Sequence, residues 1–449
     1  MNTRPMDPIL LVGAILLFAA ALTWVVPAGR YQRRHDPNTR QNLVVPGSYR
    51  SAPRQPVGAW GMLLAVPEGL AQAAAVVFYC FLAGGALTVI EKTGAIGNTL
   101  DHLVSRFGHR RELILLLITT LFLVGGACYG MYEEIIAFLP LLCGLMARIG
   151  LDGETALALS VGSACVAGSF SPFNTFTLGI SQPMAELPLF SGFAFRTAFF
   201  VAAVSIWIVY VLRHARRSWA GSAELGRTVR GLGAHWRRKD IAVLGIMNAG
   251  MGLLVAGAIA HGWELAQFSA VFLVIAFAAG LTGGLGLRGV SEAMAEGFRR
   301  MAYASLLIGF ARAISVVLAN GVILDTIADA LFNPLRHASL HAAGVLMLLS
   351  ESALSLPMPS DSGKAMMSLP IMIPLADLLG LSRQMVVSAF QYSGVVSGLA
   401  VPTAGSLLAM LAVAGVPFRR WLRFVTVPVV LLTVLAALAI AIGVALEVR

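Results

Sequence analysis

Gly168-Ser169-Phe170-Ser171-Pro172-Phe173-Asn174-Thr175 interrupts an apolar run at 154–182. A second run, 383–412, is interrupted by Ser397-Gly398-Leu399-Ala400-Val401-Pro402-Thr403-Ala404-Gly405-Ser406. Proline removes a backbone donor and clashes with the turn before it, while glycine lets the chain open. Both runs therefore read as broken helices. A break exposes half-helix N-termini, with unpaired N–H groups that suit a carboxylate, and opened carbonyls that suit a cation. A plain proline kink would account for either run alone. Two breaks placed symmetrically point instead to a binding site at membrane depth.

The symmetry extends beyond the breaks. Leu139, Pro140, Leu145, Gly150, Leu151, Ser163, Val166, Gly168, Pro172 and Leu178 recur, at a constant offset of 230, as Leu369, Pro370, Leu375, Gly380, Leu381, Ser393, Val396, Gly398, Pro402 and Leu408. Before each broken helix stands a pair of short apolar runs, 113–127 with 134–148 and 338–355 with 365–379. Their tips are GGACYGMYEE and LPMPSDSGK. A bilayer core of about 30 Å needs about 20 helical residues. Short arms around a polar tip therefore read as re-entrant hairpins, tolerated only where protein or a cavity covers the tip. Complete short spans are the alternative reading of the arms, and parity separates the two.

Runs long enough to cross are 9–27, 68–91, 154–182, 193–213, 240–262, 266–287, 296–318, 383–412 and 420–446. If the hairpins do not cross, five spans separate matched positions, so the halves are inverted. The expected fold is an all-α polytopic membrane protein of two inverted repeats. The first repeat is 1–213, followed by a basic linker at 214–239. The region 240–449 holds an extra span, 240–262, and the second repeat with its hairpin at 338–379.

Composition agrees. Of 449 residues 58% are hydrophobic and only 12% charged, too little charge to cover a soluble protein of this size. The net charge of +10 has no basic helix with interleaved aromatics behind it, so no nucleic-acid partner is expected. The lipid bilayer is the partner these charges address. Lys92, Arg106, Arg110 and Arg111, the linker residues Arg216, Arg217, Arg227, Arg230, Arg237, Arg238 and Lys239, and Arg419 and Arg420 fall on one side when the N-terminus is cytoplasmic. The C-terminus is then periplasmic, in a bacterial inner membrane. The first hairpin enters from the cytoplasm and the second from the periplasm.

Charge also reaches the hairpin tips. Glu133 and Glu134 sit on the first, Asp361 and Lys364 on the second. Lone buried charges are costly, so these should pair, protonate or bind a ligand. Tips lying in headgroup water, with Lys364 snorkelling outward, are the plainer reading. Arg312 either pairs with a hairpin carboxylate such as Glu351 or snorkels. Gly284-Leu285-Gly286-Leu287-Arg288-Gly289 has dinucleotide-loop spacing but ends a membrane run with no strand before it. Cys80, Cys128, Cys143 and Cys165 lie in apolar stretches without paired spacing and read as core residues. No nucleophile–base pair or metal set stands out, which disfavours an intramembrane enzyme.

In these pieces the chain resembles the YfcC/DcuC-type carriers of the ion transporter superfamily. The likeness rests on YGMYEEIIAFLPLL, SPFNTFTLGISQ, ELPLFSGFAFR, ARAISVVLANGVILDTI, PSDSGKAMMSLPIMIPLADLLGLSRQ and VPTAGSLLAMLAVAGVPFRRWLRF, in that order. The resemblance implies an elevator mechanism on a homodimeric scaffold. It also implies a small-molecule substrate bearing carboxylates, a four-carbon dicarboxylate or an amino acid, driven by sodium or proton. No organic cofactor is implied, and a sodium ion is the only inorganic one. By position the family's tip acids fall on Glu133 and Glu134, expected with Asp361 to couple ions. Its first break falls on Ser171, Pro172, Phe173 and Asn174, to which Thr175 is added as substrate-binding. Its second tip falls on Ser360, Ser362 and Gly363, flanked here by Asp361 and Lys364. Its second break falls on Pro402, Thr403 and Gly405. Lys364 and Asp361 depart from the family's small or amide residues, so a lysine ammonium stands where a sodium would otherwise bind. The expected function is coupled transport of a small organic anion or amino acid. A basic amino-acid exchanger, using Glu133, Glu134 and Asp361 as counter-charges, is the alternative.

Overall fold

A computed structural model describes residues 8–36, 41–99, 111–220 and 237–448. Arg106, Arg110, Arg227 and Arg230, invoked above for orientation, lie outside the described residues. Among those described, eight helices are long and apolar enough to cross a membrane. They are Pro8–Val25, Ala74–Lys92, Glu112–Tyr129, Phe193–Trp219, Leu265–Thr282, Gly286–Asn320, Arg383–Val413 and Phe418–Ala445. Glu112–Tyr129 corrects the expectation that the run 113–127 is too short to cross, because the helix continues through the polar residues at both ends of that run. Their apolar faces need no polar covering in lipid, so many large hydrophobics, among them Phe18, Leu117 and Val434, stand exposed.

A pair of helices precedes each broken helix, Arg111–Tyr129 with Ile135–Arg148 and Leu340–Leu354 with Asp361–Leu379. The second pair pack on each other as a hairpin, whereas Arg111–Tyr129 packs chiefly on Ser163–Phe170 of the broken helix. The offset of 230 reappears as local geometry. Gly150 and Gly380 both end the second arm with positive φ, 80° and 74°. Just beyond each, the amide of Leu151 donates to Met146 at 2.8 Å and that of Leu381 to Ala376 at 2.8 Å. Only a glycine closes such a helix terminus without strain. The broken helices then start at Gly153 and Arg383, and their first halves end at Phe170 and Ala400.

The long helix Gly286–Asn320 is the spine against which Pro8–Val25, Ala59–Gln72, Ala74–Lys92 and Leu265–Thr282 pack. Its Gly297 lies so close to Gly84 and Gly85 of Ala74–Lys92 that a Cβ there would come within 2.6 Å of the Gly85 Cα. Small residues permit this approach, which substitutes for a hydrophobic driving force that lipid does not supply. The second broken helix resumes at Gly405, against the backbone of Ile308 on the same spine.

Several expectations are corrected. The run 68–91 is two helices, Ala59–Gln72 and Ala74–Lys92, joined at Ala73. The Gly284–Gly289 stretch does not merely end a span, because the spine begins at Gly286. The loop 28–60 contains two antiparallel ribbons, Gly29–Arg30 with Arg50–Ser51 and Arg33–Asp36 with Gln41–Val44. It is tied down by Arg33, which pairs with Asp325 at 2.7 Å. Asp325 belongs to an unforeseen short helix, Leu324–Phe332, between the spine and the second hairpin.

Candidate functional site

Both hairpin tips converge on the second break. The Tyr132 hydroxyl, on the first tip, donates to the Gly398 carbonyl at 2.6 Å. Beside it Glu133 accepts from the Ser406 hydroxyl at 3.3 Å. From the second tip the Leu356 carbonyl accepts the Thr403 hydroxyl at 2.6 Å. Pro402 removes a donor and Gly405 approaches the spine, so the chain opens between Ala400 and Gly405. Glu133 and Glu134 are half-buried. Glu134 turns back to accept from the Tyr132 amide at 3.0 Å, which shapes the tip.

The second tip holds a buried cation. Ser360 caps Asp361–Leu379, its hydroxyl oxygen 3.4 Å from the Gly363 amide and 3.2 Å from the Ser362 hydroxyl. One turn in, Lys364 is fully buried, so it does not snorkel. Its Nζ donates to Ser355 at 3.0 Å and Ser393 at 2.8 Å. Asp361 lies 3.6 Å away and Glu351 3.9 Å away. Arg312 instead donates to Gln72 at 3.2 Å, so Glu351 has Lys364 as its neighbouring cation and not Arg312. Glu351 is itself fully buried, and neither of its oxygens is in hydrogen-bonding geometry with a described donor.

The first break is held differently. Ser171 donates to the Ala127 carbonyl at 2.7 Å and accepts from the Phe173 amide. Asn174 donates to Gly126 at 3.0 Å, and its carbonyl oxygen caps Thr177–Met184 by accepting from the Phe176 and Thr177 amides. Thr175 bonds the Cys128 carbonyl at 3.1 Å. Phe173 packs on Phe193 and Phe200 of the next span, and Pro172 is buried in the turn. These side chains thus bind the break to its own hairpin. Two of the break's carbonyls, those of Gly168 and Ser171, are taken by Gln391.

Gln391 was invisible as a site residue in the sequence. Its amide nitrogen donates to Gly168 at 3.1 Å and Ser171 at 2.8 Å, while its oxygen accepts from Arg196. Arg196, also fully buried, donates to Gln384 at 3.2 Å as well. A guanidinium thus fixes the first break through one carboxamide. The only sequence signal was an arginine in an apolar run and two glutamines seven residues apart on one helix face. Gln391→Leu should take one of two acceptors from Arg196, which keeps Gln384, and leave the Ser171 carbonyl without its Gln391 donor, at about 1–3 kcal/mol per buried group left unpaired. A large fall in the detergent unfolding midpoint is expected, and an unchanged midpoint would remove Gln391 from this role.

Residues 6–445 match the DcuC family, described as the C4-dicarboxylate anaerobic carrier. The chain belongs to this family. It is a multi-pass membrane transporter and not an enzyme. DcuC-family membership agrees with two relatives. One is the Escherichia coli (strain K12) protein named "Putative basic amino acid antiporter YfcC", 27% identical and matched over 93% of this chain and 92% of its own length. The other is an uncharacterized Haemophilus influenzae protein, 28% identical over 92% of this chain and 91% of its own. Among solved structures, the Alcanivorax borkumensis YdaH transporter covers 98% of this chain and 99% of its own at 15% identity and a TM-score of 0.42. Neisseria gonorrhoeae MtrF gives 0.43 at the same 15% identity, covering 98% of this chain and 95% of its own. Both are too distant to carry an argument.

Proposed function

We propose that this chain is a secondary active transporter that carries a small carboxylate-bearing metabolite, a dicarboxylate or an amino acid, by an elevator mechanism. The two halves are inverted, and the hairpins re-enter from opposite faces of a bacterial inner membrane, with the N-terminus cytoplasmic and the C-terminus periplasmic. Two copies form the static scaffold through their spanning helices. The observation that carries this reading is the meeting of both tips at the second break, beside the buried Lys364. The substrate carboxylate binds there, near the N-terminus of Asp361–Leu379, where free amides and the ammonium act together. Glu133 and Glu134 take up the coupling cation, a proton or sodium. Lys364 supplies in the second half the positive charge that a further bound cation would bring.

Basic amino-acid exchange is the second reading, favoured by the three carboxylates Glu133, Glu134 and Asp361 at the tips. Uptake into proteoliposomes loaded with or without unlabelled solute separates the two. Labelled succinate, serine, lysine and arginine would be offered under a proton gradient, a sodium gradient or neither. Accumulation of at least one carboxylate solute against its gradient, abolished when the ion gradient collapses, is expected. Passive equilibration of all solutes, indifferent to both ions, would contradict the proposal. Strict dependence on internal lysine or arginine would select exchange.

A further inference from the structure

A cavity of about 160 Å³ lies outside the convergence point, between the spine, the helix Ala59–Gln72 and the second tip. Arg312 and Asn320 of the spine, Glu68 and Gln72 of the flanking helix, and Ser360 and Gly363 of the tip are on its wall. Its polar groups form an ordered chain. Arg312 donates through Nε to the Gln72 oxygen at 3.2 Å. The amide nitrogen of Gln72 donates to Glu68 at 3.3 Å, and Asn320 donates to the other Glu68 oxygen at 3.4 Å. One carboxamide thus separates a guanidinium from a carboxylate. Neither charge forms an ion pair with a described residue, although an arginine and a glutamate on adjoining helices would ordinarily close on each other. The terminal guanidinium nitrogens, which match a carboxylate in bidentate fashion, remain unspent among the described residues.

We propose that this cavity is a vestibule site for a zwitterionic amino acid, whose carboxylate meets Arg312 and whose ammonium meets Glu68. A dicarboxylate satisfies Arg312 but brings its second negative charge toward Glu68, and like charges there suppress the wrong ligand. The Ser360–Gly363 wall belongs to the tip that leads to Lys364, so a solute held here waits at the door of the deeper site. The inference rests on the transport reading for its purpose, but its chemistry is separable from it.

Ala319, on the cavity wall and exposed, is a suitable reporter. Ala319→Cys in the full-length purified protein would be modified with a polar maleimide, the unsubstituted chain giving the background from the native cysteines. Millimolar serine should slow the modification several-fold and succinate should not. Arg312→Gln should erase the protection and Arg312→Lys should keep part of it, which guards against a merely misfolded variant. Glu68→Gln should let succinate protect. No protection by serine, equal protection by succinate in the parent, or protection that survives Arg312→Gln would overturn the site. Uptake is scored separately: transport without protection sinks the vestibule alone, and protection without transport sinks the transport reading and leaves the site standing.

Discussion

Lys364→Gln is expected to weaken carboxylate binding at least tenfold and to make the protein's stability respond to sodium. Lys364 is the one cation within reach of Glu351 among the described residues, and both are fully buried. Removing one member of a buried pair leaves an uncompensated charge, at about 3–5 kcal/mol. The variant should therefore unfold earlier in choline chloride and recover part of the loss in sodium chloride, because a small cation can enter between Glu351, Asp361 and Ser393. Glu351→Gln added to Lys364→Gln should restore stability without restoring affinity, since it removes the uncompensated buried charge but does not bring back the ammonium. Equal stability in both salts, together with unchanged substrate affinity, would leave Lys364 a purely structural residue.

Glu133→Gln should reduce coupled uptake by at least an order of magnitude while leaving the unfolding midpoint nearly unchanged. The carboxylate touches the protein through Ser406 at 3.3 Å, a long contact that glutamine reproduces with its own carbonyl. What glutamine lacks is the ability to bind and release a proton or to hold a sodium ion. Glu134→Gln should likewise leave folding nearly unchanged, because its oxygen serves the Tyr132 amide and an amide oxygen serves equally well, while coupled uptake falls. Exchange between identical solutes on both sides should survive better than net uptake in Glu133→Gln, as the carrier then need not return empty. Normal net uptake in both variants would remove the first tip from coupling.

The helix breaks and the turns before them were legible because proline, glycine and charge punctuate the apolar runs, and because the same punctuation recurs 230 residues later. Gly150 and Gly380 show how directly such a signal converts to geometry, each closing a helix in the left-handed region. The placement of the candidate residues was half legible. Glu133 reaches Ser406 of the second break, Thr403 reaches Leu356 of the second tip and Lys364 lies beside Asp361, whereas Ser171 and Asn174 are bound to Ala127 and Gly126 of the helix Arg111–Tyr129. A side chain's hydrogen-bond partner depends on tertiary approach, which periodicity does not encode. Arg196 and Gln391 are 195 residues apart, and nothing local in either neighbourhood announces the other. The helix Leu324–Phe332 escaped because a run of nine residues is too short for a membrane period to emerge.

The claim on which the rest depends is that the hairpins turn back inside the membrane and enter from opposite faces. Single cysteines at Leu113 and Arg148, the outer ends of the first hairpin, and at Ser339 and Leu378, the outer ends of the second, test it by labelling from one side of the membrane at a time. The account predicts that positions 113 and 148 react from one face and that 339 and 378 react from the other. Reaction of 113 and 148 from opposite faces would make the first hairpin two complete crossings and contradict the inverted, two-tipped site.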